Sequence, residues 1–305
     1  MSEQFTIDES ETGQTLAALV RRHAWTTTWN DARQLITRGK VFVDGKCQVD
    51  AATRMRLGQS VRLHPRAPAP VEKPLGEIVY EDSQLVILNK PSGISSVPYE
   101  TRETGTAMDL IRAHWRTIGR SATTSPLHIV HRIDKETSGL LCFAKTREAE
   151  RALQQLFRAH DVERTYRCVV HGQLTDRRIE SRLVVDRGDG LRGSTRATRQ
   201  GKRAVTHVRV LDPIGSRATE CEVRLETGKT HQIRIHLAEN GHPLVGERVY
   251  IRDFTKRGGV PIDSPRLLLH AETIGFIHPK TGKKVRWERP VPEDYRQALL
   301  RISRR

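Results

Sequence analysis

The stretch from residue 129 to residue 145 holds a carboxylate in a setting suited to chemistry. It reads I-V-H-R-I-D-K-E-T-S-G-L-L-C-F-A-K, so Asp134 stands between two apolar runs that predict strands. Thr137, Ser138 and Gly139 favour a tight turn and can bond nearby main chain, which would hold the carboxylate in one orientation. A carboxylate held in this way can act as a nucleophile or stabilise a charged intermediate. On composition alone, an aspartate in an ordinary turn is the alternative.

The charge of the chain predicts a polyanionic partner. Its 305 residues include 52 Lys and Arg against 36 Asp and Glu, which gives a net charge of +16. Such an excess is an argument about partners and favours nucleic acid. Residues 190–210 hold no acid, which predicts an exposed loop or hairpin able to follow a phosphate backbone. The basic residues of this segment are Arg192, Arg196, Arg199, Lys202, Arg203 and Arg209. A solvated basic face is the alternative.

Three short patterns that imitate other sites fail on their spacing. Gly228-Lys229-Thr230 lacks the glycine that a phosphate-binding loop needs five positions earlier, because Val223 stands there. His231 and His236 are five apart, which suits neither one helix face nor one strand face, so a metal pair is not expected. An isoleucine interrupts the H-R-D order of a kinase loop in residues 131–134. We therefore expect no metal and no nucleotide cofactor.

The remaining composition favours a soluble, cytoplasmic protein. The four cysteines lie far apart and form no C-x-x-C pair, which argues for a reducing compartment and against a zinc site. No stretch approaches roughly eighteen consecutive apolar residues, and the N-terminal region lacks a signal-peptide pattern. We expect no membrane partner.

Two domains are predicted on either side of a proline-rich linker. Alternating prolines predict an extended spacer at residues 67–75. Residues 1–66 combine helical spacing of apolar residues with a strand and a tight Asp-Gly turn, which indicates a small α+β module, and their first eleven residues predict a loose arm. Residues 76–305 interleave β runs with amphipathic helices, which indicates a larger α+β domain.

Two elements of the larger domain bear on chemistry. Residues 162–172 alternate as a strand that places Arg164, Tyr166 and Cys168 on one face. A tyrosine there is ordinarily an amphipathic core residue. A second element follows at about Thr230, where Gly241 as a stop favours a helix.

Three segments together resemble the RluA-type family of pseudouridine synthases. Residues 131–145 resemble its catalytic signature, H-R-L-D-x-x-T-S-G-L-L followed by Ala-Lys, with Ile133 in place of Leu. Residues 89–93, N-K-P-S-G, resemble its first motif, and residues 227–234, T-G-K-T-H-Q-I-R, its third. Lys229 stands where the family usually has Arg, which keeps the charge but loses the planar fork. The resemblance implies a mixed, mainly antiparallel sheet.

The resemblance also implies roles for four residues. Asp134 would be the catalytic aspartate, Arg234 would pair with it and favour its charged form, and Tyr166 would pack on the target base. Arg132 would hold the space or the phosphate that the base leaves behind. The implied reaction breaks the N1–C1′ bond of uridine, turns the base and rejoins it through C5. It involves no redox change, so no cofactor is expected.

The first domain resembles an S4 domain, a small RNA-binding module. The resemblance rests on residues 32–36 (A-R-Q-L-I), 39–45 (G-K-V-F-V-D-G) and 57–61 (L-G-Q-S-V). Such a module favours the family branch that acts on large-subunit ribosomal RNA. Members without it more often use transfer RNA, and Val97 is shared with some of those, so transfer RNA is the alternative substrate.

RNA is accordingly the expected partner, and we expect a monomer. The expected RNA contacts are Arg33 and Lys40 in the small domain and Arg192, Arg196, Lys202, Arg203 and Lys229 in the large one. Two other classes stay open. One is an RNA-binding assembly factor without catalysis. The other is a glycosidase-like hydrolase that uses Asp134, although no convincing second carboxylate accompanies it.

Overall fold

The computed structural model of the chain divides into two compact units, residues 1–73 and 74–305. It describes residues 4–23, 26, 28–65, 67, 76–98, 104–120, 125–197 and 199–303. All of the predicted linker except Ala67 lies outside these residues. No helix in the described ranges is long and apolar enough to cross a membrane.

The first unit packs two helices against a four-stranded antiparallel sheet of order β1-β4-β2-β3. Its elements are β1 (Gln4–Thr6), α1 (Leu16–Arg22), α2 (Trp29–Thr37), β2 (Val41–Val43), β3 (Lys46–Cys47) and β4 (Ser60–Leu63). The predicted turn joins β2 to β3, and Asp44 and Gly45 both have positive φ there. The loose arm was a wrong expectation, because β1 pairs with β4 and Ile7 is buried beside it.

The second unit is built around one large sheet with helices packed on it. Its strands are β5 (Glu77–Glu81), β6 (Leu85–Lys90), β7 (His128–Ile129), β8 (Ser138–Ala144), β9 (Glu163–His171), β10 (Arg177–Val184), β11 (Gly193–Thr195), β12 (Lys202–Ile214), β13 (Ala218–Leu225), β14 (Leu269–Ile277) and β15 (Lys284–Glu288). Its helices are α3 (Ala107–Thr117), α4 (Arg147–Ala159), α5 (Gln232–Glu239), α6 (Arg252–Lys256) and α7 (Glu293–Ser303).

The strands of the second unit follow the order β11-β10-β12-β13-β9-β14-β8-β6-β5, with β15 beside β14 and β7 beside β8. Every pairing is antiparallel except that of β8 with β14. The sheet therefore confirms the prediction of an α+β fold with a mixed, mainly antiparallel sheet. Asp134 lies in the loop that leads into β8, one of the sheet's central strands, and Tyr166 lies on another, β9.

The turn after Asp134 ends in Gly139 because the neighbouring strand leaves no room for a side chain. The φ of Gly139 is +112°, and a Cβ at this position would collide with the backbone of Ala271. Ala271 is the partner of Gly139 in the parallel pairing of β8 with β14. The close approach of these two strands therefore requires a residue without a side chain.

Candidate active site

Asp134 lies in the loop between β7 and β8, where residues of three segments hold the main chain. Its carbonyl oxygen accepts the N–H of Thr137 at 3.1 Å. The hydroxyl of Ser96 donates to the carbonyl of Ile133 at 2.6 Å and accepts the Ile133 N–H at 3.1 Å. Because Ile133 is also buried, the residue before Asp134 is fixed on both its polar and its apolar sides.

A buried ammonium group supports the same loop from β6. The Lys90 side chain donates hydrogen bonds of 2.9, 2.7 and 3.1 Å to the carbonyl oxygens of Pro91, Ile94 and Lys135. Burial lowers the pKa of Lys90 to about 7, and the charges of Asp134 and Glu136 oppose that shift. The N-K-P-S-G segment thus fixes the loop that carries Asp134.

Arg234 brings its positive charge to Asp134 from the first turns of α5. Its side chain is 4% exposed, and its Nη1 atom lies 3.8 Å from Oδ2 of Asp134 and 3.6 Å from Oε2 of Glu136. These separations are ionic contacts, longer than hydrogen bonds. The guanidinium donates its two short bonds elsewhere, from Nε and Nη2 to Glu247 at 2.8 Å each. The fork therefore holds Glu247 and leaves Nη1 facing the two carboxylates of the loop.

Glu247 is a site residue that the sequence analysis missed. Its carboxylate is fully buried and also accepts the backbone N–H groups of Arg248 and Val249, at 2.9 and 2.8 Å. Burial acts to raise the pKa of Glu247, but the hydrogen bonds and charge of Arg234 outweigh it, so the pKa is lowered. The available signal was an acid two residues after the apolar Leu244-Val245 pair.

Two tyrosines line the site. Tyr166 on β9 is buried, and burial raises its pKa; Arg164 lowers that pKa and Asp134 raises it, which places both charges near the phenol. Tyr250, which the sequence analysis did not single out, has its ring centroid 5.4 Å from the Arg234 guanidinium carbon. Its hydroxyl shares a 2.7 Å hydrogen bond with Nδ1 of His231.

The turn before α5 is held by an amide. The Gln232 Oε1 atom accepts the hydroxyl of Thr227 at 2.7 Å and the N–H of Lys229 at 3.0 Å, while its Nε2 donates to the carbonyl of Val205. His231 precedes the helix with φ +57°, a left-handed conformation that is uncommon outside glycine. The predicted helix thus begins at Gln232, two residues after Thr230.

The structure does not bring all predicted catalytic residues together. Asp134 is in ionic contact with Arg234, and its charge acts on the Tyr166 phenol, whose pKa burial raises first and Asp134 raises further. The side chain of Arg132 is exposed and makes no ion pair among the described residues. The structure therefore does not pair the Arg132 guanidinium with the carboxylate of Asp134.

The predicted RNA-contacting residues of the second unit also separate. Burial lowers the pKa of His231 and raises the pKa of Tyr250 to about 12. The charge of Arg192 has a smaller, lowering effect on both pKa values, so Arg192 lies near these two side chains. Arg196 and Lys202 are exposed. Arg203 is already bonded to Glu180 at 2.7 Å, so part of its charge is compensated. Lys229 is half-buried.

In the first unit, Arg33 is exposed on α2, whereas the ammonium of Lys40 donates a hydrogen bond to the carbonyl of Ala67.

Among the side chains that the structure describes, no group of three or more His, Cys, Asp or Glu is placed to hold a metal ion. In the second unit, Asp134 and Glu136 both face the buried Arg234, and Asp134 is the one of the two whose charge acts on Tyr166.

Comparison with known proteins relates this site to a family. Residues 84–239 match the family model described as RNA pseudouridylate synthase. An uncharacterised RNA pseudouridine synthase of Bacillus subtilis is 36% identical over 286 residues, covering 92% of this chain and 90% of its own length. The ribosomal large subunit pseudouridine synthase D of Zymomonas mobilis is 37% identical over 243 residues, covering 77% of this chain and 76% of its own length.

A solved structure shares the fold. The human RNA pseudouridylate synthase domain containing protein 4 superposes with a TM-score of 0.57 at 22% identity, covering 74% of this chain and 92% of its own. The matched segment includes the Asp134 loop, Tyr166 and the α5 arginine. The chain belongs to the RluA-type family of RNA pseudouridine synthases, enzymes that isomerise uridine in RNA to pseudouridine.

Proposed function

We propose that this enzyme isomerises specific uridines of large-subunit ribosomal RNA, with Asp134 as its catalytic carboxylate. The observation that carries the proposal is the placement of Asp134 on a rigid loop, 3.8 Å from a buried arginine that Glu247 holds in position. A nearby positive charge favours the ionised carboxylate that the reaction needs.

In this arrangement the uracil of the target packs on Tyr166 and its sugar faces Asp134. The N1–C1′ bond breaks, the base turns, and C5 bonds to C1′, while the C5 proton leaves to solvent and N1 gains one. The ionised carboxylate acts at the sugar or base as a nucleophile, or stabilises the intermediate that forms when the base departs. Arg234 keeps that charge in place without itself reacting. Arg132, exposed beside the site, fills the space that the flipped uridine vacates.

The substrate class rests on the relatives and on the first unit. Several relatives at 36 to 37% identity carry the name ribosomal large subunit pseudouridine synthase D. The first unit, with its helix pair and the β2–β3 hairpin, resembles an S4 RNA-binding module in its sequence segments, and its exposed Arg33 can reach a phosphate. We propose that this module binds the same ribosomal RNA and that the enzyme acts as a monomer.

Tritium release tests the substrate class. Ribosomal and transfer RNA, tritiated at uracil C5, are prepared separately from cells whose own copy of the gene has been deleted, and each is incubated with the enzyme. We expect tritium release from the large-subunit ribosomal RNA only, with Asp134→Asn as the inactive control. Release from transfer RNA alone would overturn the ribosomal substrate and leave the isomerase in place.

A further inference from the structure

A second arginine, Arg164, lies on the same strand face as the site tyrosine. It precedes Tyr166 by two residues on β9, so both side chains leave the same side of the sheet. Its guanidinium carbon lies 5.4 Å from the centroid of the Phe157 ring, and that ring stacks on His131 with centroids 4.5 Å apart. Burial and, to a smaller extent, the charge of Arg164 lower the pKa of His131 to about 3. A positive charge therefore sits directly beside the motif that carries Asp134.

Arg164 is not in ion-pair contact with a carboxylate in the part of the chain that the structure describes. No carboxylate there forms an ion pair with it, and its Nε atom is buried without a hydrogen-bond partner. The nearest acids along the strands are engaged elsewhere, since Glu163 accepts from Arg286 at 3.0 Å and Glu226 from His207 at 2.6 Å. A partly buried cation left unpaired is costly, so this position is suited to an anion that arrives with a ligand.

The third motif leaves room for the guanidinium. A Cβ atom at Gly228 would lie 2.6 Å from Nη1 of Arg164. The backbone itself does not require glycine there, because the φ of Gly228 lies outside the left-handed region. Because the glycine of the T-G-K-T turn has no side chain, it leaves the space that the Arg164 guanidinium occupies.

Solvent reaches Arg164 through an open groove of about 400 Å³ between the end of α4 and strands β9, β12 and β13. Arg203 and Arg224 also line this groove, together with Asp161, Glu163 and Glu226. Glu163 and Glu226 already accept hydrogen bonds from Arg286 and His207. Arg164 and the exposed Arg224 are therefore free to bind an anion, and Asp161 is the groove acid without such a partner among the described residues. The groove can therefore take one phosphate group whose charge both arginines offset.

We propose that Arg164 binds a backbone phosphate of the RNA next to the target uridine. A uridine whose base packs on Tyr166 and whose sugar faces Asp134 extends its flanking phosphates away from the base, and Arg164 lies on the strand face of Tyr166, two residues away. The planar fork of an arginine bonds a phosphate through two donors, and such contacts fix the register of the RNA without reading its sequence. This assignment rests on the proposed placement of the target uridine between Asp134 and Tyr166.

Steady-state kinetics over a series of NaCl concentrations test the assignment. The probe is total RNA tritiated at uracil C5 from cells that lack the gene. Arg164→Ala should raise KM about ten-fold or more with kcat nearly unchanged. The plot of log(kcat/KM) against log[NaCl] should become shallower by about 0.7 to 0.9, the loss of one phosphate contact. Gly228→Ala, which displaces the guanidinium without removing its charge, should raise KM in the same way.

Three further variants secure the result. Arg164→Lys keeps the charge and the stem, so its KM should rise less than that of the alanine variant. Arg151→Ala removes an exposed charge from α4 and should leave KM and the salt slope as in wild type. Urea unfolding of each variant shows that the fold is retained. Asp134→Asn tests the proposed catalytic site separately, because this variant keeps Arg164 and Gly228 and changes only the carboxylate.

Two results would overturn the phosphate site. In the first, Arg164→Ala and Gly228→Ala keep the KM and salt slope of Arg151→Ala while Asp134→Asn is inactive, so that only this inference fails. In the second, kcat falls while KM and the salt slope stay unchanged, which would make Arg164 a positioning residue for Tyr166. An active Asp134→Asn would instead remove the proposed site itself.

Discussion

Two groups of charged side chains in the second unit have similar composition but opposite surroundings. The buried charge cluster consists of Lys90, Arg234 and Glu247 together with the partly exposed Asp134. The exposed charge ladder, on strands β10 and β12 and at the end of β13, consists of Arg178, Glu180, Arg203, His207 and Glu226. The side chains of Arg234 and Glu247 are 4% and 0% exposed, whereas those of Arg203 and Glu180 are 52% and 40% exposed. Removing one partner is costly only where water cannot replace it. The cluster therefore fixes geometry, and the ladder mainly offsets charge.

Breaking the cluster should have the largest effect. Glu247→Gln keeps the size of the side chain but leaves Arg234 buried beside a neutral group, so we expect a loss of about 3 to 5 kcal/mol in the free energy of unfolding. Tritium release should also fall about 10- to 100-fold, because Arg234 is no longer held in position. Urea unfolding and tritium release measure the two effects.

The matched control lies in the ladder. Glu226→Gln removes the charge of a glutamate, 42% exposed, that Arg178, Arg203 and His207 contact, and the unfolding midpoint should stay as in wild type. Equal stability of Glu247→Gln and wild type would show that burial does not distinguish the two groups.

Low pH should have the next largest effect, because it protonates a buried histidine and so lowers the free energy of unfolding. Burial lowers the pKa of His236 on α5 to about 4, from an ordinary value of 6.5. Between these values the unfolded chain binds the extra proton, so stability is complete above pH 6.5 and is lost as the pH falls toward 4, by up to about 3 kcal/mol for this residue. His236→Gln should flatten that part of the curve of unfolding free energy against pH.

The region above pH 6.5 supplies the control for this measurement, since the curves of His236→Gln and wild type should run parallel there. His270 is neutral for the same reason, with a pKa that burial lowers to about 4, so the variant should keep part of the acid slope. An unchanged slope between pH 6.5 and 4 would contradict the assignment of a buried neutral imidazole to His236.

We expect the smallest effect from single alanine substitutions of two neighbouring basic residues at the start of β12. Lys202 is exposed and makes no ion pair among the described residues, whereas Arg203 is bonded to Glu180 and lies 3.8 Å from Glu226. Lys202→Ala should lower the salt dependence of RNA affinity by about 0.7 to 0.9 in log–log slope, and Arg203→Ala by less. Filter binding of ribosomal RNA at several salt concentrations measures both slopes. A larger change for Arg203→Ala than for Lys202→Ala would contradict the claim that Glu180 and Glu226 offset the charge of Arg203.

The sequence predicted the elements that its local patterns encode. The turn at Asp134 follows from its turn-forming residues, the strand of Tyr166 from alternation, and the helix of Arg234 from the glycine stop at Gly241. The mainly antiparallel sheet came from the family resemblance, and it is confirmed. These features were predictable because each depends on neighbours in the chain.

The partners of charged residues were not predictable in the same way. Glu247 bonds Arg234 across 13 positions, and Glu180 bonds Arg203 across 23, through the register of β10 against β12. Residues 190–210 hold no acid in sequence, yet acids from neighbouring strands compensate Arg203 and Arg209. Which carboxylate is buried and which is exposed depends on that register, and no local pattern carries it.

The most direct test compares the two carboxylates that face Arg234. Asp134 and Glu136 lie 3.8 and 3.6 Å from its Nη1 atom, so distance to the arginine alone does not identify the catalytic group. Single-turnover tritium release with Asp134→Asn and Glu136→Gln, on ribosomal RNA that both variants bind, separates them. We predict that Asp134→Asn releases no tritium and that Glu136→Gln keeps most of the wild-type rate. Release by Asp134→Asn, or its loss in Glu136→Gln alone, would contradict the catalytic role of Asp134.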